Sequence, residues 1–259
     1  MRRIHKIGVG IGAGIVGYLV VLIVLGWVAS GLVARGVRDR LAASLDGEAE
    51  VGGASVSLLR GEAEVRAIAV RRDHDGHLTL DLDTLALDLA PLGAVLWDRE
   101  ARAVGVTGGR LEVSGLAVLR LPPRPAHPPI RIGALALDDC ALVLMATGSW
   151  PGLARVELTI ERARSRATVL RTALSWLFTL DELVARVELP AGVVVRIEYR
   201  AGVLSAAGGP FGSSPVVIPF VIPAVDDSDE VEQLAALGKE LGKQLAIAQA
   251  RRWWSRLRP

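Results

Sequence analysis

With 51% hydrophobic and 22% charged residues, the 259-residue chain has the apolar content of a folded protein and not that of a solvated disordered polymer. Its formal net charge of +2 excludes a broad basic footprint of the kind that binds nucleic acid. Cys140 is the single cysteine, so no intrachain disulfide can form.

The chain opens with a short basic segment, residues 1–6, and then runs without a charge from Ile7 to Ala34. A helix of that length covers about 42 Å, more than the ~30 Å of a bilayer's hydrocarbon core. The run is read as a transmembrane anchor, and a cleaved secretory signal ending near Val28-Ala29-Ser30 is the alternative. The apolar length exceeds the h-region of a signal and favours the anchor. Arg2, Arg3 and Lys6 precede it, while Arg35, Arg38 and Arg40 follow with a single Asp39. This modest bias favours a cytoplasmic amino terminus. Gly12-Ala13-Gly14-Ile15-Val16-Gly17 matches a dinucleotide-binding fingerprint, but the residues that follow have no polar face and no βαβ unit succeeds them. The spacings Gly8–Gly12 and Gly10–Gly14 suit packing between membrane helices instead.

Val33, Val37, Leu41 and Leu45 recur every four residues, which predicts an amphipathic continuation over residues 35–46 that stops at Asp46-Gly47. The period then changes to two. Leu78, Leu80 and Leu82 alternate with polar residues, and Leu85, Leu87 and Leu89 do so one residue out of phase, which predicts a bulge or turn at Asp83-Thr84. Alternation over 156–160, 183–189 and 193–199 predicts further strands with one apolar and one polar face, as in an antiparallel sheet. Arg60-Gly61-Glu62, Asp75-Gly76, Gly108-Gly109-Arg110 and Ala201-Gly202-Val203 read as hairpin turns. The β segments 47–120 and 130–226 are separated by a Pro-rich, extended connection over 121–129. A short apolar helix is expected near 168–180. The stretch 216–223 is strand-like, with two prolines that suit an edge or an exit from the sheet.

The last segment, residues 227–259, starts with a capping-box pattern at Asp227-Ser228-Asp229-Glu230 and reads as a long amphipathic helix. Leu234, Leu237, Leu241 and Leu245 mark one side, and Gly238, Gly242, Ala246 and Ala250 form an adjoining stripe of small residues. It ends in Arg251, Arg252, Trp253, Trp254 and Arg256. These suit a phospholipid headgroup surface, or else a helix end whose arginines complement the macrodipole and whose tryptophans cover the core.

Catalytic patterns are scarce. There is no G-x-S-x-G elbow, and no cofactor-binding signature beyond the rejected glycine pattern. Asp73-His74-Asp75-Gly76-His77 is the best metal candidate. As a calcium loop it would start at Arg71 and end at Leu82, so a polar turn is the better reading. No enzyme activity, cofactor or metal is expected.

The single amino-terminal helix, residues 55–70, Leu85-Ala86-Leu87-Asp88-Leu89-Ala90-Pro91-Leu92, Gly108-Gly109-Arg110-Leu111-Glu112-Val113 and residues 130–139 together resemble the start of AsmA-like proteins. These are bacterial inner-membrane-anchored envelope proteins related to bridge-like, chorein-type lipid transfer proteins. The resemblance spans residues 7–145 and carries no catalytic signature. It implies a mainly β fold with one transmembrane helix: a curved antiparallel sheet open like a trough, with a short central helix and the long carboxy-terminal one. It further implies a periplasmic main domain that binds phospholipid acyl chains, with roles in lipid transfer or outer-membrane homeostasis. Leu80, Leu82, Leu87, Leu89, Leu111 and Val113 are the groove candidates on this reading. If these residues instead seal a core, the protein is an envelope scaffold. Phospholipid and the inner membrane are the expected partners, with envelope proteins or a second copy also possible.

Overall fold

The computed structural model describes residues 28–43, 46–58, 60–73, 77–89, 100–114, 130–145, 155–170, 175–222 and 230–257. Residues 1–27 of the expected tail and anchor, the Pro-rich connection 121–129, Asp75-Gly76 and the capping residues Asp227-Ser228-Asp229 lie outside them. Among the described residues no helix is long and apolar enough to cross a membrane.

Helix α1 is described over residues 28–43 and crosses the expected anchor boundary at Ala34 without a break. It stops at the Asp46-Gly47 signal. Asp46 is left-handed (φ 51°), and the Gly47 N–H returns to the Ala42 carbonyl at 3.1 Å, the 6→1 bond of a Schellman end.

Among the described residues twelve strands form one large sheet: β1 (Glu48–Ser57), β2 (Glu62–Arg72), β3 (Leu78–Leu89), β4 (Glu100–Ser114), β5 (Ile130–Ile132), β6 (Leu135–Met145), β7 (Arg155–Ser165), β8 (Thr168–Leu170), β9 (Leu180–Leu189), β10 (Val193–Arg200), β11 (Val203–Ala207) and β12 (Val216–Pro219). The main path runs β1-β2-β3-β4-β6-β7-β9-β10-β11-β12, with β5 and β8 as a side branch on β4, and it does not close. Both expected β segments therefore belong to a single sheet. The hairpin signals at Gly61 and at Ala201-Gly202 turn the chain between β1 and β2 and between β10 and β11. β12 is the last strand of the path, as its prolines require.

Three expectations are corrected. The sheet is mixed and not purely antiparallel, because β6 and β5 both lie parallel to β4, with Val104 opposite Leu135 and Ala101 opposite Ile132. Parallel neighbours need a crossover in place of a hairpin. The helix expected near 168–180 is replaced by β8, a 3-10 turn at Ser175–Thr179 and the start of β9. Phe178 and Leu180 are both buried there, so apolar residues on both sides of the turn do not require a helix. Gly108-Gly109-Arg110 is no turn and sits inside β4.

The phase slip at Asp83-Thr84 has a sheet-wide cause. Gly52, Ala67, Asp83, Gly108, Asp139 and Glu161 lie at one level of β1, β2, β3, β4, β6 and β7, and each is missing from its ladder. Ala67, Gly108 and Asp139 have φ of 51°, 65° and 52°. Because each strand carries its extra residue at the same level, pairing resumes in the same register while the apolar positions move by one. β9 does not take part, so its register against β7 shifts between Ile160 and Arg162. The result is a crease across six strands that keeps the aliphatic residues on one face on both sides of it, with the buried Arg72 beside Leu78 as the charged residue at the end of β2.

Two helices cover the ends of that face. Val33, Val37 and Leu41 of α1 pack on Val65, Ile68 and Val70, and the Val56 N–H donates to Ser30 Oγ at 3.1 Å. At the far end α2 (Glu230–Leu257) lays Leu237, Leu241, Leu245 and Ala248 on a core of Tyr199, Leu204, Val216, Ile218 and Phe220.

Candidate functional site

The two faces of the sheet differ completely in chemistry. On one, β3 presents Leu78, Leu80 and Leu82 before the crease and Leu85, Leu87 and Leu89 after it. Register then sets Leu111 beside Leu80, Val104 beside Leu87 and Val113 beside Leu78. Across the parallel join Leu142 faces Leu111 and Leu144 faces Val113, and Leu158 of β7 follows beside Leu142. Among the described residues paired across this face from β3 to β7, none is charged.

The opposite face is a lattice of ion pairs. Arg110 Nη2 lies 2.7 Å from Glu112 Oε1, Arg155 Nη2 2.9 Å from Glu157 Oε2, Arg164 Nη2 2.8 Å from Asp138 Oδ1, and Arg186 Nε 2.9 Å from Glu161 Oε1. Exposed pairs of this kind are worth ~0–1 kcal/mol each. Their effect is to keep that face wet, which leaves the apolar face as the surface that water avoids. Val143 on the charged side differs from the exposed valines of that side, Val194, Val203 and Val217. It is buried, with Glu112 and Glu157 as its register neighbours.

The structure brings all six groove candidates onto the apolar face, but their surroundings differ. Leu80 and Leu82 lean on the cluster that α1 covers. Leu87, Leu89 and Leu111 are half-buried on the floor between the two helices. Val113 is only 2% exposed, beside Leu78 at 5%. Among the described residues the apolar packing partners of that pair are Leu80, Leu111 and Leu144. Leu137, Leu142, Leu144 and Leu158 extend the floor and escaped the sequence reading. Their alternation is visible, but only the parallel pairing of β6 with β4 shows that they adjoin the leucines of β3 and β4.

Cys140 stands on the same floor at the crease, opposite Ile160. Burial is the main cause that raises its thiol above the ordinary range, with nearby Asp138 and Asp139 adding to it. Its weak bonds to backbone groups act the other way, and such a thiol is a poor nucleophile. Gly109 makes room beside it, since a Cβ there would sit 2.9 Å from Leu82 Cδ2 and 3.1 Å from Cys140 Sγ.

At the base of the β2–β3 hairpin, His77 Nδ1 bonds Asp73 Oδ1 at 2.8 Å and His77 Nε2 bonds Thr79 Oγ1 at 3.0 Å. Ser114 Oγ accepts the His77 backbone N–H at 2.7 Å, and the Ser114 N–H donates to the His77 carbonyl. Ser114 is thereby tied to the main chain and not to the imidazole, so the cluster fastens the hairpin to the end of β4. Among the described residues no three metal-ligating side chains converge. His74 and Asp75 lie outside those residues.

In α2 the terminal residues divide. Arg252 Nη1 donates to the Phe211 and Ser214 carbonyls at 3.2 and 2.6 Å. Arg251 is exposed, and Trp253 and Trp254 are 65% and 69% exposed, so the tryptophans do not cover the core. Arg256 lies in the last turn of the helix.

No family model matches the chain, and no curated protein does.

Proposed function

We propose that this protein is a non-catalytic, membrane-anchored envelope protein that holds phospholipid acyl chains against the apolar face of its open sheet. In this reading it serves lipid transfer or outer-membrane homeostasis, as the AsmA-like resemblance implies. The uncharged run spans the inner membrane with the amino terminus in the cytoplasm, and the sheet lies in the periplasm. The observation that carries the reading is the floor between β3 and β7, apolar throughout and lying between two helices that pack on the sheet's ends. Val28 and Leu32, 50% and 64% exposed on α1, fit a helix leaving a bilayer.

An acyl chain gains about 0.8 kcal/mol for each methylene it buries. Ten methylenes on this floor therefore supply roughly 8 kcal/mol before the ordering costs of binding. Ten strands in the main path, spaced ~4.8 Å, extend about 43 Å. That length suits uptake or handover near one membrane better than a span between two.

The second reading is a scaffold with a sealed core, and the burial of Val113 and Leu78 favours it. Phospholipid that stays with the purified full-length chain after exchange into a lipid-free detergent separates the two. The groove reading expects bound phospholipid that Leu142→Gln and Leu87→Gln reduce while the circular dichroism spectrum is kept. Equal lipid in wild type and both variants, or none in any, sinks it.

A further inference from the structure

The carboxy-terminal end of α2 has a second apolar surface, away from the sheet. Successive residues of a helix are ~100° apart, so Arg252 points opposite Lys243, Ile247 and Trp254. The inward side is fixed by contacts: Leu241, Leu245 and Ala248 on the core, Gln249 Nε2 on the Pro210 carbonyl at 2.8 Å, and Arg252 on Phe211 and Ser214. Locked in this way, the helix turns Ile247, Trp253 and Trp254 outward, with exposures of 44%, 65% and 69%. Lys243 and Arg251 flank them and are exposed. Lys243 Nζ lies 4.0 Å from Glu240 Oε2 on the same side, and after Glu240 the helix carries no acidic residue.

We propose that this surface docks on an anionic phospholipid bilayer. Trp253, Trp254 and Ile247 enter the interfacial region, and Lys243 and Arg251 meet the headgroup phosphates. Tryptophan favours that depth because its ring is apolar and its N–H still reaches water. Two large aromatics left in solvent need an occupant, and the excess of cationic over acidic residues beside them selects an anionic one. α1 packs at the β1–β2 edge and α2 at the β12 edge. Docking therefore holds the sheet to a membrane at the end away from the anchor. This contact does not depend on whether the floor carries lipid.

The test uses the full chain reconstituted in vesicles that contain a brominated phosphatidylcholine as quencher. The fluorescence of wild type minus that of W253F/W254F reports the tryptophan pair. In vesicles of phosphatidylcholine mixed with phosphatidylglycerol the pair should be blue-shifted and quenched. Lys243→Gln with Arg251→Gln should weaken that contact about 30-fold, at ~1 kcal/mol per basic residue. Unquenched, solvent-like emission overturns the proposal, and so does equal quenching in phosphatidylcholine alone. A blue shift that follows protein density and ignores the quencher assigns the surface to another protein chain and overturns it as well.

Discussion

Two glycines on β4 offer a controlled test of the crease. Gly108 has φ +65°, and a Cβ added there would lie 2.8 Å from Asp83 Cβ and closer still to the Asp83 carboxylate. The carboxylate can swing into solvent, but the Cβ cannot move without the strand. A left-handed L-residue costs about 1–2 kcal/mol, and the overpacked contact adds about 1 kcal/mol. Gly108→Ala should therefore destabilise the protein by about 2–3 kcal/mol. Gly105, three residues earlier, has Ala86 Cβ at 3.7 Å as its nearest neighbour and no positive φ. Gly105→Ala should be neutral or stabilising by up to about 1 kcal/mol, through the lost freedom of the unfolded chain. Urea unfolding of the full chain in mild detergent, followed by far-ultraviolet circular dichroism, should separate the two midpoints by about 1 M for a slope near 3 kcal/mol/M. Midpoints that coincide would refute the crease as a strained, glycine-dependent feature.

Two further outcomes are expected. Ala201 occupies the first position of the Ala201-Gly202 turn at φ 49°, a conformation that asparagine accepts more readily, so Ala201→Asn should raise stability by about 1 kcal/mol in the same unfolding assay. Because burial raises the Cys140 thiol, iodoacetamide should label it at pH 8 more slowly than a free thiol, with a rate that climbs at higher pH than a free thiol's does, and added phospholipid should slow it further. Labelling as fast as free cysteine would place Cys140 off the floor.

The strands and their faces were legible because the outer positions are charged and the inner ones aliphatic. Leu78 to Leu89 states both the sheet and its crease in one segment. The crease's extent was hidden, since the slips at Gly52, Ala67, Gly108, Asp139 and Glu161 become one feature only when pairing aligns them. Gly108-Gly109 read as a turn for the same reason: a positive φ suits a hairpin and a bulge equally. The parallel join of β4 to β6 leaves no local mark, so the floor formed by Leu137, Leu142 and Leu158 could not be assembled from the sequence. The helix expected near 168–180 failed because an apolar run without period is equally a strand or turn buried on several sides. The tail was half readable. Its composition fitted a membrane surface, but only the carbonyl contacts of Arg252 distinguish the residue that faces inward from the tryptophans that do not.

The central claim is that acyl chains lie on the apolar floor. A photoreactive residue placed singly at Leu82, Leu87, Leu111 or Leu142 in cells, with Asp81, Asp88 and Glu112 as charged-face controls, tests it most directly. The account predicts phospholipid adducts, detected by mass spectrometry, at the leucine positions and none at the controls. Adducts at neither set, or equally at both, would contradict it and leave a sealed envelope scaffold as the better description.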